Sequence, residues 1–384
     1  MSATDVHAAA VALAPELRRR ADEIESLRHL PADLSARLAA GGFYRMWAPA
    51  TTGGLELPPV PGLEALEVLA RADGSAAWCA FIGATSAVVL AYLNVAAARE
   101  IAREPDVLLA GVFAPRGTAE AGRDGYRVRG RWAWGSGIHN AHWVMGGCQR
   151  VVGGEVERSP AGMPVPWMVI VPKADVELLD TWYVTGLSGT GSTDFAMHDV
   201  LVPAERAVSL VVQRPAPRPL YAFSPFTFLA MGIAAVAMGL ARAAIDEVVG
   251  LARDKRPEGA SRALAERSAT QADVASAEAL LRSARAFFYE TVERLWRSAQ
   301  AMVPIPTAQR RDVRLATTHA VRTSARAVDL MYDVAGGTSV YRRSPLSRIF
   351  RDVHVTTQHL MVGPGTLELA GRLLLGLETD TTLL

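Results

Sequence analysis

The sequence has almost no cysteine and almost no net charge. Its two cysteines, Cys79 and Cys148, form no CxxC pair, so neither a disulfide framework nor a cysteine-based zinc site is expected. Against 40 basic residues stand 39 acidic ones, a net charge of +1, which leaves no field to attract nucleic acid or an anionic membrane. Several chemistries lack their signatures as well. There is no GxSxG elbow, no HExxH helix and no carboxylate-rich metal motif. Arg18, Arg19 and Arg20 follow the first apolar stretch, the reverse of a secretory signal, so no targeting segment is expected and the cytoplasm is the expected location.

What the chain has in quantity is apolar surface, half of its 384 residues. Two uncharged stretches, Gly74 to Ala98 and Leu220 to Ala241, reach the roughly 20 residues of a membrane span. Alanine, glycine and serine dilute the first and Pro225 interrupts the second, which suits buried helices of a large bundle.

Helical periodicity predicts two helices between Val6 and Ala40, divided at Pro31, then an irregular segment from Phe43 to Pro61. Helices are predicted again at Leu63 to Ala72, Ala76 to Tyr92 and Val95 to Arg103. After Pro105 the pattern switches to short β-rich runs at Val107 to Phe113, Tyr126 to Trp134, Trp143 to Gln149, Trp167 to Val171 and Phe195 to Val202. Their spacing fits a small barrel or sandwich. A Pro-rich linker from Arg214 to Pro219 leads to four long segments, Phe226 to Arg253, Ser261 to Arg297, Ala308 to Val334 and Pro345 to Met361, expected to form an antiparallel bundle. The organisation read from this is an N-terminal helical domain (1–106), a central β-domain (107–213) and a C-terminal four-helix bundle (214–384).

Three stretches could carry chemistry. In the run Tyr126 to Trp143, Ser136 stands between Gly135 and Gly137 at a strand end, where it could meet a flat ligand or merely reverse the chain. Asp180 to Arg206 holds Gly186, Gly189 and Gly191 among Ser188, Thr190, Ser192 and Thr193; without Gly-Lys-Ser/Thr it is no P-loop, and its spacing is not that of a dinucleotide fingerprint. The third, Ser344 to His359, is predicted as one helix on which Arg348, Asp352 and His359 share a face. His359 there is either a satisfied core histidine or an acid or base. His139 and His142 have no third ligand nearby, and no metal is expected.

Together these stretches resemble the acyl-CoA dehydrogenase superfamily, and within it the monooxygenases that take reduced flavin from a separate reductase. The resemblance rests on DGSAAW (Asp73 to Trp78), GVFAPRGTA (Gly111 to Ala119), YRVRGRWAWGSG (Tyr126 to Gly137), DTWYVTGLSGTGSTDF (Asp180 to Phe195), AGG (Ala335 to Gly337) and SPLSRIFRDVHVTTQH (Ser344 to His359), in that order. It implies a mainly α fold with a central β-barrel and a four-helix bundle, assembled as a homotetramer. It also implies that Phe113, Ala114, Thr118, Trp134 and Ser136 lie against the flavin, with Arg253, Arg256, Gln271, Gly336 and Gly337 toward its phosphate and tail. Trp78, Phe81, Tyr92 and Phe226 would line the substrate side, and a histidine that the family often carries is replaced near Ser86.

An acyl-CoA dehydrogenase needs a carboxylate base. The family's two places for it read Leu360 to Thr366 and the run between Arg206 and Asp246, and neither holds an Asp or Glu; Glu368 is displaced from the motif. The expected activity is therefore hydroxylation of an aromatic or nitrogen-containing small molecule by reduced flavin, FMN in preference to FAD, and O2 through a flavin hydroperoxide. Ser136 and His359 are the expected catalytic residues. The alternatives are an FAD-dependent acyl-CoA dehydrogenase and a flavin-binding protein without catalysis.

Overall fold

The computed structural model describes residues 1–159, 162–382 and 384. Six helices come first: α1 (Ala3–Arg19), α2 (Ala21–Leu27), α3 (Ala32–Ala40), α4 (Pro59–Ala70), α5 (Gly74–Ala87) and α6 (Val95–Ile101). The strands follow as β1 (Leu109–Gly122), β2 (Gly125–Trp132), β3 (Trp143–Val152), β4 (Glu155–Val156), β5 (Pro166–Pro172), β6 (Glu177–Leu179), β7 (Asp194–Val202) and β8 (Ala207–Val208). The chain ends in α7 (Pro225–Asp254), α8 (Ser268–Gln300), α9 (Thr307–Ala335), α10 (Pro345–Thr356) and α11 (Pro364–Leu374). The order of helices, strands and helices is the expected one.

The two apolar stretches are interior helices. The most apolar 18-residue windows of Gly74–Tyr92 and of Pro225–Asp254 are 94% and 89% buried within the protein. Asp73 caps α5 by accepting the Ala76 N–H at 2.8 Å, and Ser224 with Pro225 starts α7. Small residues on α7 let neighbours close on it. A Cβ at Gly232 would stand 2.5 Å from the Phe81 ring, and one at Gly239 would stand 2.6 Å from the Glu67 carbonyl on α4.

The sheet is open, not the closed barrel that the resemblance implies. Its order is β6-β7-β2-β1-β3-β5-β8, with β4 paired to β3. Among the described residues the edge strands β6 and β8 pair with β7 and β5, over three and two residue pairs, and not with each other. β1 runs longer than expected. Its partners shift between Val112 and Gly117, so the bulge at Ala114-Pro115-Arg116 that breaks the sequence pattern bends the strand without ending it.

Trp132 fixes the middle of this sheet. Its indole is fully buried, stacks on Phe195 at 5.1 Å and donates to the Gly147 carbonyl at 2.7 Å. Gly117, Gly130 and Gly146, one from each of β1, β2 and β3, leave the slot it fills. A Cβ on Gly117 would come within 2.2 Å of the ring. Gly117→Ala is therefore expected to cost about 1–3 kcal/mol, read as a lowered melting temperature. Gly122→Ala, whose Cβ meets nothing closer than 3.7 Å, should melt close to the wild type.

Candidate active site

Past Trp132 the chain leaves the sheet in a strained turn. Trp134 adopts φ +71, and its indole stands 71% exposed. The next residues are pinned from the other side by the glycine-rich loop before β7: Gly135 N–H donates to the Thr193 carbonyl at 3.0 Å, and Gly137 N–H to the Thr190 carbonyl at 2.9 Å. Ser136, between them, is buried.

Its hydroxyl sits in a chain of side chains. Trp78 Nε1 on α5 donates to Ser136 Oγ at 3.1 Å. Ser136 Oγ lies 2.7 Å from Ser192 Oγ, which lies 2.7 Å from Thr190 Oγ1, and Thr190 donates to the Leu187 carbonyl at 2.8 Å. Ser192 and Thr190 are as buried as Ser136. Neither was expected at the site; the hydroxyl-rich glycine loop was their only signal.

The loop is held by α10. Leu187, in the left-handed region at φ +51, donates its N–H to Asp352 Oδ1 at 2.6 Å. Arg351 Nη1 donates to the Thr185 carbonyl at 2.7 Å, and a Cβ on Gly186 would stand 2.4 Å from the Arg351 carbonyl. Burial pushes the Asp352 carboxyl up to about 7, opposed by the Leu187 N–H, Arg348 and Arg351 and reinforced by Asp73. Asp73 is itself pushed up to about 6, again chiefly by burial.

His359 does not share the face of Arg348 and Asp352. α10 stops at Thr356, and His359, extended at ψ 135, starts the following short turn. Its ring lies 6.0 Å from that of Trp78, which meets Phe81 edge-on at 4.8 Å. Its Nδ1 accepts the Met361 N–H at 3.2 Å, so the neutral ring carries its proton on Nε2. Burial, and then the Arg314 charge, lower its pKa to about 4.

Of the expected residues, the structure joins Trp78, Phe81, Ser136 and His359. Phe113 and Phe226 form a second pair at 5.5 Å. Phe113 and Ala114 have no ladder partner, whereas Thr118 pairs with Arg129 and Gln149. Half-buried Tyr92 packs, like Phe113, against both the main core and the smaller cluster of Val89 and Leu90. Arg253, Arg256 and Gln271 are exposed near the end of α7 and the start of α8. Lys255 ties that end of α7 to the Gly336-Gly337 turn through Ala335 and Thr338. Among the described residues, no hydrogen bond, ion pair or ring contact joins this group to Ser136 or His359. His139 stacks on His29 at 4.7 Å, His142 accepts the Leu108 N–H, and Glu368 is exposed.

An open sheet flanked by helices, with a serine at the strand end facing a hydroxyl-lined loop, is the acyl-CoA dehydrogenase-like fold. Residues 231–364 match the family model for the acyl-CoA dehydrogenase C-terminal domain. The chain is 36% identical to an indole-3-acetate monooxygenase of Pseudomonas putida, over 94% of this chain and 90% of the relative. It is 29% identical to the flavin-dependent monooxygenase oxygenase subunit HsaA of Rhodococcus jostii, over 92% and 93%. The crystal structure of a 3-HSA hydroxylase from Rhodococcus sp. RHA1 superposes with a TM-score of 0.91 at 26% identity, covering 99% of each chain. The chain belongs to the flavin-dependent monooxygenases of the acyl-CoA dehydrogenase superfamily.

The buried carboxyl of Asp352 makes stability depend on pH. In the unfolded chain it loses its proton near about pH 4, in the folded protein at about 7. Between those values the folded form binds more protons, so this group's contribution to stability falls as pH rises through the window. Asp352→Asn removes the effect. The difference in melting temperature, variant minus wild type, should climb from pH 4 to pH 7 and then level; a constant difference would contradict the assignment.

Proposed function

We propose that this protein is the oxygenase component of a two-component system, hydroxylating an aromatic small molecule with O2 and reduced flavin delivered by a separate reductase. The observation that carries this reading is the junction at Trp78, whose ring links the Ser136 hydroxyl to the His359 imidazole. The names of the relatives make indole-3-acetate the first substrate to test.

The residues fit a flavin ring. Unladdered backbone at Phe113 and Ala114, the exposed indole of Trp134 and the remaining lone pair of Ser136 offer a polar edge beside an apolar face, which suits a flat heterocycle with alternating donors and acceptors. Reduced flavin, when bound, supplies the electrons that activate O2. Arg253, Arg256, Gln271 and the open Gly336-Gly337 turn are candidates for its phosphate and tail, supplied by the neighbouring subunit of a homotetramer, in keeping with exposed Leu360, Leu374 and Leu375. We read the domains as 1–106, 107–213 and 214–384, and the location as the cytoplasm.

Phe81 and Trp78 exclude water from the Ser136 side of the site, while Phe226 against Phe113 adds a second apolar wall. His359 acts as a donor. With Nδ1 occupied by the Met361 N–H and a pKa near 4, it stays neutral at pH 7 and offers Nε2–H to a substrate or oxygen atom.

His359→Ala should lower hydroxylated product by about 100-fold, with the consumed O2 appearing as hydrogen peroxide and flavin affinity within about twofold of wild type. His359→Gln, which restores an N–H near the Nε2 position, should recover part of the coupling. If the glutamine variant is as uncoupled as the alanine variant, the donor role fails. Unchanged turnover in both removes His359 from the reaction altogether.

A further inference from the structure

The hydroxyls around Ser136 have one consistent arrangement of protons. An indole N–H can only donate, a carbonyl can only accept, and a hydroxyl has one proton to give. Trp78 Nε1–H stands at one end of the chain and the Leu187 carbonyl at the other. Thr190 spends its proton on Leu187, so at 2.7 Å it must accept from Ser192. Ser192 has then spent its own and must accept from Ser136, also at 2.7 Å. Ser136, already accepting from Trp78, is left with one lone pair and no proton to offer.

Reversal is costly here. It would turn three buried hydroxyls and leave the Leu187 carbonyl facing a bare Thr190 oxygen. The carbonyl cannot readily swing aside, because it also accepts the Thr190 N–H at 3.1 Å. Burial also keeps water from replacing a lost partner.

We propose that Ser192 and Thr190 are positioning residues that hold Ser136 as a hydrogen-bond acceptor toward the flavin ring and thereby make the site discriminate between redox states. The reasoning rests on the reading that Ser136 faces that ring. The central nitrogen at the reactive edge of a reduced flavin carries a proton, whereas in the oxidised ring the same nitrogen presents a lone pair. An acceptor held in place pairs with the first and opposes the second. Oxidised flavin is thus disfavoured after turnover, which clears the site for the next reduced molecule.

The test is binding, not turnover. Dissociation constants for FMN and for FAD are measured with the flavin oxidised in air and reduced under anaerobic conditions, on wild type and four variants. Wild type should hold the reduced form more tightly. Ser192→Ala frees the Ser136 proton to turn toward the ring and should shrink the oxidised-to-reduced ratio of constants by about tenfold. Thr190→Val should move the ratio the same way, and Thr190→Ser, which keeps the hydroxyl and guards against a folding artefact, should leave it at the wild-type value. If Ser136→Ala weakens flavin binding but Ser192→Ala and Thr190→Val change both forms by the same factor, the relay does not set Ser136's polarity and the proposal is overturned. If Ser136→Ala changes neither affinity, Ser136 does not meet the ring, and the reading beneath the proposal falls with it.

Discussion

Leu187 gives its N–H to a carboxylate that is buried, 2.6 Å away and on a helix 165 residues further along the chain. That bond connects the last helices to the loop before β7, and through the loop to the strand end that carries Ser136. Without it the left-handed turn at Leu187 would have a buried, unpaired N–H, and the hydroxyl chain would lose its fixed end. Asp352 bears the cost in a carboxyl held near neutrality, beside a second buried carboxyl at Asp73. Each caps or clamps backbone that adjoins the site: Asp73 begins the helix bearing Trp78, and Asp352 holds the loop bearing Thr190 and Ser192.

The donors and acceptors left over after these internal bonds are what define the site's chemistry. Trp78 is committed to Ser136, and Ser136 to Ser192. His359 is committed through Nδ1 to Met361. What remains is a lone pair on Ser136 and an N–H on His359, both beside Trp78 and in apolar surroundings where each counts for more than it would in water. A general base is not needed to describe this arrangement, and the exposed Glu368 does not supply the carboxylate that an acyl-CoA dehydrogenase requires.

Much of this was legible in the sequence, for identifiable reasons. The helix–strand–helix order follows from periodicity, and Pro and Gly punctuation marked most boundaries. Val6 to Ala40 nevertheless forms three helices, because the chain breaks at Arg20 with no proline to announce it. Strands of two or three residues, β4, β6 and β8, are too short to show a period, and α11 was not foreseen. Whether the sheet closes depends on edge lengths that local pattern does not encode. Ser136, Trp78 and His359 were visible as motif residues. Ser192 and Thr190 were visible only as members of a loop, since their importance lies in distances to Ser136 across the fold. The shared helical face of Asp352 and His359 failed because the helix ends at Thr356, and that end frees His359 to turn toward Trp78.

The central claim is that this site inserts an oxygen atom from O2 by way of reduced flavin. It is tested most directly by supplying 18O2 to the protein with a flavin reductase, NADH, flavin and indole-3-acetate, then weighing the product. One atom of 18O per hydroxylated product is expected, with none from labelled water. Hydroxylated product whose oxygen comes from water would contradict the account. So would flavin oxidation that yields only hydrogen peroxide across indole, phenol and resorcinol substrates.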